Sequence, residues 1–328
     1  MRSVLILRHL QVENANAVTG LTWGFPAITH FTGFTHALSR KLFAAQGVRL
    51  GGCAVICHQH QVNVLKPAAK GDYSLVQSRH PLTKEGKTAP IIEEGKMHCT
   101  VSLMIECEFG SGQVDFDKYD DEQNHLGLLN WFKQTVPSLR LAGGLIVGMD
   151  AREPVFFSDM PDGEQERAKF RRQVIKRLLP GFALVSRHDL LQAHWADLQQ
   201  TRPDAELLDA WLDFCTLQYD APASPDQDGA YLWARRPKPG PGWLAPLAIG
   251  YRAISPLYPA GQVKDTRDTV TSFRFVESAY SIGQWLSPHR IQDLRQLLWQ
   301  HKHEGDFYLC HNSYQTFSAD DDDDEDDD

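Results

Sequence analysis

The chain has 328 residues, 42% of them hydrophobic, enough for a sizeable core in one large or two modest domains. Its formal charge of −9 has one source: Asp320–Asp328 are nine consecutive acids, and with these set aside 33 acids remain of the 42, against 33 Lys and Arg. Net charge therefore excludes no partner, and what matters is how charge is segregated.

The longest apolar runs, such as Val4–Leu7 and Leu141–Val147, are too short to span a bilayer, and the N-terminus lacks a secretory pattern. Six cysteines in so long a chain do not make a disulfide framework. A cytoplasmic protein with reduced thiols and no membrane partner is expected.

In chain order, residues 3–12 read as a strand. Residues 14–38 follow, rich in Asn, Thr, Gly and aromatics: Trp23, Phe25, Phe31 and Phe34 stand beside Gly20, Gly24 and Gly33. Glycines permit close backbone approach, and flat rings either pack under a helix or stack on bases. A helix is expected over 31–45, with Phe31, Phe34, Leu38 and Leu42 on one face. Residues 52–65 alternate as a strand, Ala54, Ile56, Val62 and Val64 on one side. Residues 97–109 alternate again, with Met97, Cys99, Val101, Leu103 and Ile105 on one face. A helix over 122–135 carries Leu126, Leu129 and Phe132, and a strand over 139–147 is interrupted by Gly143 and Gly144.

The fold class this predicts is α+β. The order β-α-β-β-α-β is that of a ferredoxin-like, RRM-like palm over 1–150. Between its second and third strands an insertion, about 66–96, carries Lys66, Lys70, Arg79, Lys84, Lys87 and Lys96 with Gly71 and Gly86, and reads as a protruding basic β-hairpin thumb.

Residues 151–225 read as an added helical region. A helix over 164–179 stops at Pro180-Gly181. Ser186 to Asp189 has the spacing of a capping box before a helix over 189–200. A helix over 203–218 carries Leu207, Leu208, Trp211, Leu212 and Cys215, and 220–229 is a polar linker. The remainder, 226–318, is mixed: RRPKPGPG (235–242) is extended and basic, and Ser287-Pro288 opens a helix with Ile291, Leu294, Leu297 and Leu298 as its stripe. Residues 319–328 are expected to be a disordered acidic tail.

The strongest charge feature is the helix EQERAKFRRQVIKRLL. Phe170, Val174, Ile175 and Leu178 form its apolar stripe, while Arg167, Lys169, Arg171, Arg172, Lys176 and Arg177 occupy the rest with no acid among them. An idle surface helix is better served by alternating signs, so a phosphate partner accounts for the bias better.

Cys53-x3-Cys57-His58-x-His60 has metal-ligand residue types. On a regular strand, however, the two cysteines face away from the two histidines, and no metal or other cofactor is expected. His301-x-His303 near Cys310-His311 is similarly weak. No G-x-S-x-G, H-E-x-x-H or Walker motif is present. His36, beside the glycine-rich stretch, is the histidine placed best for acid–base work.

The stretches LTWGFP…FTGFTHAL (21–38), RLAGG (140–144), RRQVIKRLLPGFALVSR (171–187), GWLAPLAIGYRAISPLY (242–258) and RFVESAYSIGQWLSPHR (274–290) resemble, in order, the second Csy subunit of the type I-F CRISPR surveillance complex (Cascade), its Cas-five-type subunit. The resemblance covers nearly the whole chain except the acidic tail. It implies a non-enzymatic, RNA-binding scaffold subunit of an antiviral defence ribonucleoprotein. That subunit pairs with the large subunit, abuts a backbone subunit of the filament and holds the 5′ handle of the CRISPR RNA, so that target DNA is met only through the complex.

It further implies handle contacts from Asn14, Asn16, Trp23, Phe25 and His36, with Gly24 and Gly33 allowing close approach. Arg140, Gly143 and Gly144 would lie near the palm, and Arg171, Arg172 and Arg177 on phosphates or on acids of the large subunit. The alternative is a metal-independent endoribonuclease acting on precursor CRISPR RNA, with histidine and a basic residue as acid–base and electrostatic groups.

Overall fold

A computed structural model describes residues 3–66, 73–109, 122–221, 231 and 233–314. Lys70, Gly71, most of the 220–229 linker and the acidic tail lie outside them.

Strand β1 (Ser3–Asn16) runs into helix α1 (Ile28–Gln46), then strands β2 (Val48–Val62) and β3 (Lys96–Phe109), helix α2 (Glu122–Thr135) and strand β4 (Gly144–Gly148). These four strands lie in the order β2–β3–β1–β4, every neighbouring pair antiparallel. One face of this sheet is covered by the two helices. Phe31, Phe34, Leu38 and Leu42 of α1 and Leu128 and Phe132 of α2 pack with Leu5, Leu7, Val12, Met97, Val101, Leu103 and Ile105.

The opposite face is buried over only part of its length. Val4, Ile6, Ala54, Ile56 and Met104 meet helix α3 (Glu164–Leu178) through Phe170, Val174 and Leu178. That explains the unbroken apolar run at the start of β1: both of its faces are covered there.

Strand β5 (Val155–Asp159) continues the edge begun by β4, pairing with Ser3–Leu7 while β4 pairs with Gln11–Glu13. Between the two stretches β1 bulges at His9, whose φ is +48°, and a second bulge carries Asn14 at +56°. Asn is among the few residues that tolerate this region of backbone space.

The sheet then extends through β6 (Phe182–Ser186), β7 (Leu244–Ala253), β8 (Val276–Leu286), β9 (Trp299–Glu304) and β10 (Phe307–Asn312) in the order β6–β8–β7–β10–β9–β2. Because β6 also pairs with β2, these six strands close a circuit. Ile28, Leu184, Leu247, Trp299 and Cys310 form a small core of their own. Helices α4 (His188–Thr201) and α5 (Leu207–Cys215) pack through Leu191, Trp211 and Phe214 against Leu244 of β7 and Ile282 of β8. The insertion after β2 forms a small three-stranded sheet, Val64–Leu65, Ser74–Arg79 and Ile91–Glu94, whose lysines are interspersed with Glu85, Glu93 and Glu94.

Several expectations are corrected. Helix α1 contains Phe31, Gly33 and Phe34 as expected but starts at Ile28, three residues before the periodic stripe. In α2 it is Leu128 that is buried, while Leu126 is half exposed, so the helix is rotated from the expected stripe. In α5 the buried residues are Ala210, Trp211 and Phe214, and Leu207, Leu208 and Leu212 face outward.

No helix follows Ser287-Pro288. Two short 3₁₀ turns, Pro288–Arg290 and Leu294–Leu297, bury Ile291, Leu294 and Leu297 instead. The residue before α4 is Arg187, with no side-chain cap, and a capping box forms instead at the start of α5, between Glu206 and Asp209.

Candidate nucleic-acid interface

The segment between β1 and α1 is a miniature hairpin. Val18 pairs with Trp23 and Thr19 with Thr22 around Gly20-Leu21. Gly20 has φ +57°, and its Cα sits against the Tyr280 hydroxyl of β8, so a Cβ there would collide with it. The same hydroxyl accepts the Leu21 N–H at 2.9 Å, which pins the hairpin tip to β8. Asn16 holds the base of the hairpin: its amide donates to the Val18 carbonyl at 2.7 Å and its Oδ1 accepts the Val18 N–H. Gly24 closes the loop at φ +109°, its N–H donating to Ala17.

The hairpin, the turn after it and the start of α1 hold their rings at graded depths. Phe31 and Phe34 are buried, Phe25 is half buried, and Trp23 is 54% exposed. Phe25 stacks on Phe31 at 5.7 Å and meets Trp285 edge-on at 4.9 Å. Trp285 in turn contacts Trp243 at 6.3 Å, and Trp243 meets Phe182 at 5.5 Å. Five rings thus run from the core outward. With Trp23, the outer four line a cavity of about 310 Å³, closed on its other side by Cys57, His58 and His60.

Those three residues share the cavity because β2 bulges between Cys57 and Gln59. The strict alternation expected of this strand, with cysteines on one side and histidines on the other, therefore fails at this point. Burial pushes the Cys57 thiol up to about 11, so it is protonated at neutral pH.

His58 is tied at both nitrogens. Its Nδ1–H donates to the Pro180 carbonyl at 2.5 Å, and its Nε2 accepts the Ser102 hydroxyl at 2.7 Å, whose oxygen takes the His9 N–H. Burial is the main reason its pKa is lowered, with His9 and Arg8 adding to the effect against the Pro180 bond. His9 stands edge-on to His58 at 4.3 Å and bonds Asp150 at 2.8 Å. Asp150 loses solvation, which works the other way, but the Glu153 and Arg152 N–H groups, His9 and Arg8 bring it down to about 2. Among the described residues no group of three His, Cys, Asp or Glu is placed to hold a metal.

His60 also borders a second, shallower depression of about 730 Å³ on the uncovered face of β1–β2–β3, with Gln11, Glu13, Gln59, Gln61 and His98 along it. At the end of this groove the other expected residues gather. Asn14 lies against Asn63 and His98, and the Asn16 N–H bonds the Ala142 carbonyl. Ala142 and Gly143, both at positive φ, turn the chain between Arg140–Leu141 and β4. Arg140 donates to the Gly143 carbonyl at 3.2 Å. Gly144 lets β4 approach β1; a Cβ there would stand 2.5 Å from the Glu13 carbonyl.

Not every expected residue joins this site. Gly33 lies on the exposed side of α1, with open space where a side chain would be. His36 lines a separate 270 Å³ cleft with Glu106 and His301. On α3, Arg177 donates twice to Glu153 at 3.0 Å and lies over the Phe156 ring at 3.9 Å, and Arg171 donates to Gln292 at 2.7 Å. Arg172 is exposed, with no side-chain partner among the described residues.

Sequence reasoning missed Phe182, Trp243 and Trp285 as wall residues. Each lies in a motif quoted above, and Phe182 and Trp243, like Phe25, directly follow a glycine.

The whole-chain comparisons agree with one another. Residues 5–310 match the family described as CRISPR-associated protein (Cas_Csy2). The CRISPR-associated protein Csy2 of Pseudomonas aeruginosa (strain UCBPP-PA14) is 39% identical over 313 residues, which is 93% of either chain. This chain belongs to the Csy2 family of CRISPR-associated proteins.

Proposed function

We propose that this protein is a non-catalytic scaffold subunit of a cytoplasmic type I-F CRISPR complex, and that it holds the 5′ handle of the CRISPR RNA while pairing with the large subunit and abutting a backbone subunit. Target DNA is then read by the guide, with protein fixing phosphates and geometry. The strand order β2–β3–β1–β4 with both helices on one face supports a ferredoxin-like, RRM-like palm, and the small sheet inserted after β2 supports a thumb.

The observation that carries the reading is the uncovered palm face. There a polar groove lined by Gln11, Gln59, Gln61 and His98 leads to the turn at Arg140–Gly144 and the hairpin bearing Trp23. Amide and imidazole groups on an open sheet match the way single-stranded RNA is held, by hydrogen bonds to splayed bases and contacts along the backbone.

The test is binding of the full chain, alone and with the large subunit, to a repeat-derived RNA and to a scrambled RNA of equal length. Preferential binding without cleavage is expected. Site-specific cleavage lost on His36→Ala would replace this reading with the nuclease.

A further inference from the structure

We propose that the aromatic cavity receives one unstacked nucleobase of the bound RNA, with Trp23, Phe182 and Trp243 as stacking walls and Arg235 and Lys238 on the flanking phosphates; this rests on the chain being an RNA-handle subunit.

Three large rings stand 44–55% in water around one cavity: Phe182 at 44%, Trp23 at 54% and Trp243 at 55%. Rings that only stabilise the fold are drawn inside, as Phe31 and Trp299 are here. These three are instead held at the rim by backbone devices: the hairpin pinned to Tyr280, the pairing of Phe182 with Cys57, and Gly242 seated against Gln284. Their positions are fixed before any ligand arrives, which lowers the ordering cost of a stack.

The chemistry of the walls narrows the occupant. The Cys57 thiol is protonated and both ring nitrogens of His58 are engaged, so the cavity offers neither a nucleophile nor a metal ligand from these two groups. What it offers is flat π surface. A cavity of about 310 Å³ is at the small end for ligand sites, which suits one base and not a stacked run.

His60 belongs to both the cavity and the palm groove, so a strand lying in the groove passes the cavity mouth. The extended segment leading into Trp243 carries Arg235 and Lys238, and neither side chain has an ion-pair partner among the described residues. Arg236 between them is committed to Asp220 and Gln218. Cations without an ion-pair partner on the segment that leads to a rim aromatic suit a single-stranded nucleic acid.

The experiment is an abasic scan. Full-length protein is titrated with repeat-derived RNA carrying an abasic site at each handle position in turn. One position is expected to lose affinity by ~5- to 150-fold, the range of a single aromatic–base stack. Trp243→Ala should lose as much with intact RNA, lose nothing further with RNA abasic at that position, and be rescued largely by Trp243→Phe. Arg235→Gln with Lys238→Gln should lower the salt slope of binding without changing the position found.

If intact RNA binds but no abasic position matters and Trp243→Ala binds as wild type, the base pocket is overturned and the scaffold reading survives; a partner's apolar side chain filling the cavity would give that result. If the folded protein ignores repeat-derived RNA altogether, the handle reading falls and the pocket with it.

Discussion

The aromatic hairpin and the basic helix α3 both stand out in the sequence, but they use their distinctive side chains in opposite ways. The hairpin leaves Trp23 at a rim while Phe31 and Phe34 of the adjoining α1 anchor it to the core. The helix turns part of its basic face inward on the protein: Arg177 on Glu153 and Phe156, and Arg171 on Gln292. A run of cations is thus weaker evidence of a phosphate site than it looks, because arginine is also well suited to bridge structural elements. Exposed rings held in place by glycine turns are stronger evidence, since burial would otherwise be favoured.

Phe31→Ala should cost about 3–5 kcal/mol of stability by denaturant unfolding, whereas Trp23→Ala should cost ~0.5 or less while weakening RNA binding. Equal destabilisation would mean that Trp23 is a packing residue after all. Arg177→Glu places a carboxylate against Glu153 and should cost about 1–3 kcal/mol, tempered by the solvent that reaches Glu153. A loss of RNA affinity with no shift in melting temperature would return Arg177 to the phosphate contacts.

Gly20→Ala should cost about 1–2 kcal/mol from its positive φ, and should also weaken RNA binding by lifting the hairpin from Tyr280. Unchanged affinity would separate the hairpin from the site.

The histidine tied between Pro180 and Ser102 sharpens the contrast further, because it sits on the cavity wall. Its folded pKa lies below the ordinary 6.5, so the unfolded chain binds the proton more readily and stability must fall as pH drops below about 6.5. His58→Gln should flatten that part of a melting-temperature profile, with the wild-type slope persisting in the variant counting against it. Asp150 acts lower: its stabilisation is complete above 3.8 and is lost as pH falls towards about 2. The smallest effect is expected at Arg172→Glu, within about 0.5 kcal/mol in stability. Any change there should appear in RNA or partner binding.

Much of the β1–β4 sheet and its two helices was legible because these elements are long and periodic. The face of β3 from Met97 to Ile105 and the stripe of α1 both lie in one core as their spacing predicts. What was hidden depends on neighbours distant in sequence. The rotations of α2 and α5 reflect which side each helix presents to a sheet, and a mixed apolar pattern does not choose between Leu126 and Leu128. The bulges at His9 and after Cys57 each insert a residue into a pairing, which leaves no mark on composition. The cavity is assembled from positions 23–25, 57, 58, 60, 182, 243, 245, 246 and 285, so no window of sequence contains it. Its local trace was a glycine before a ring, a pattern that is informative only once several such pairs meet.

Strand β2 is a member of both the β2–β3–β1–β4 sheet and the six-strand circuit, pairing with β3 along its length and with β6 at Ile56 and Cys57. The groove and the cavity are therefore joined by backbone hydrogen bonds and not by a linker, and neither can shift without breaking that ladder. Mechanically the pair works as a caliper with a fixed gap. If RNA binds as proposed, one lengthened by a nucleotide between the groove and the cavity must buckle or leave one of them, and the protein would then gauge distance along the strand as well as chemistry.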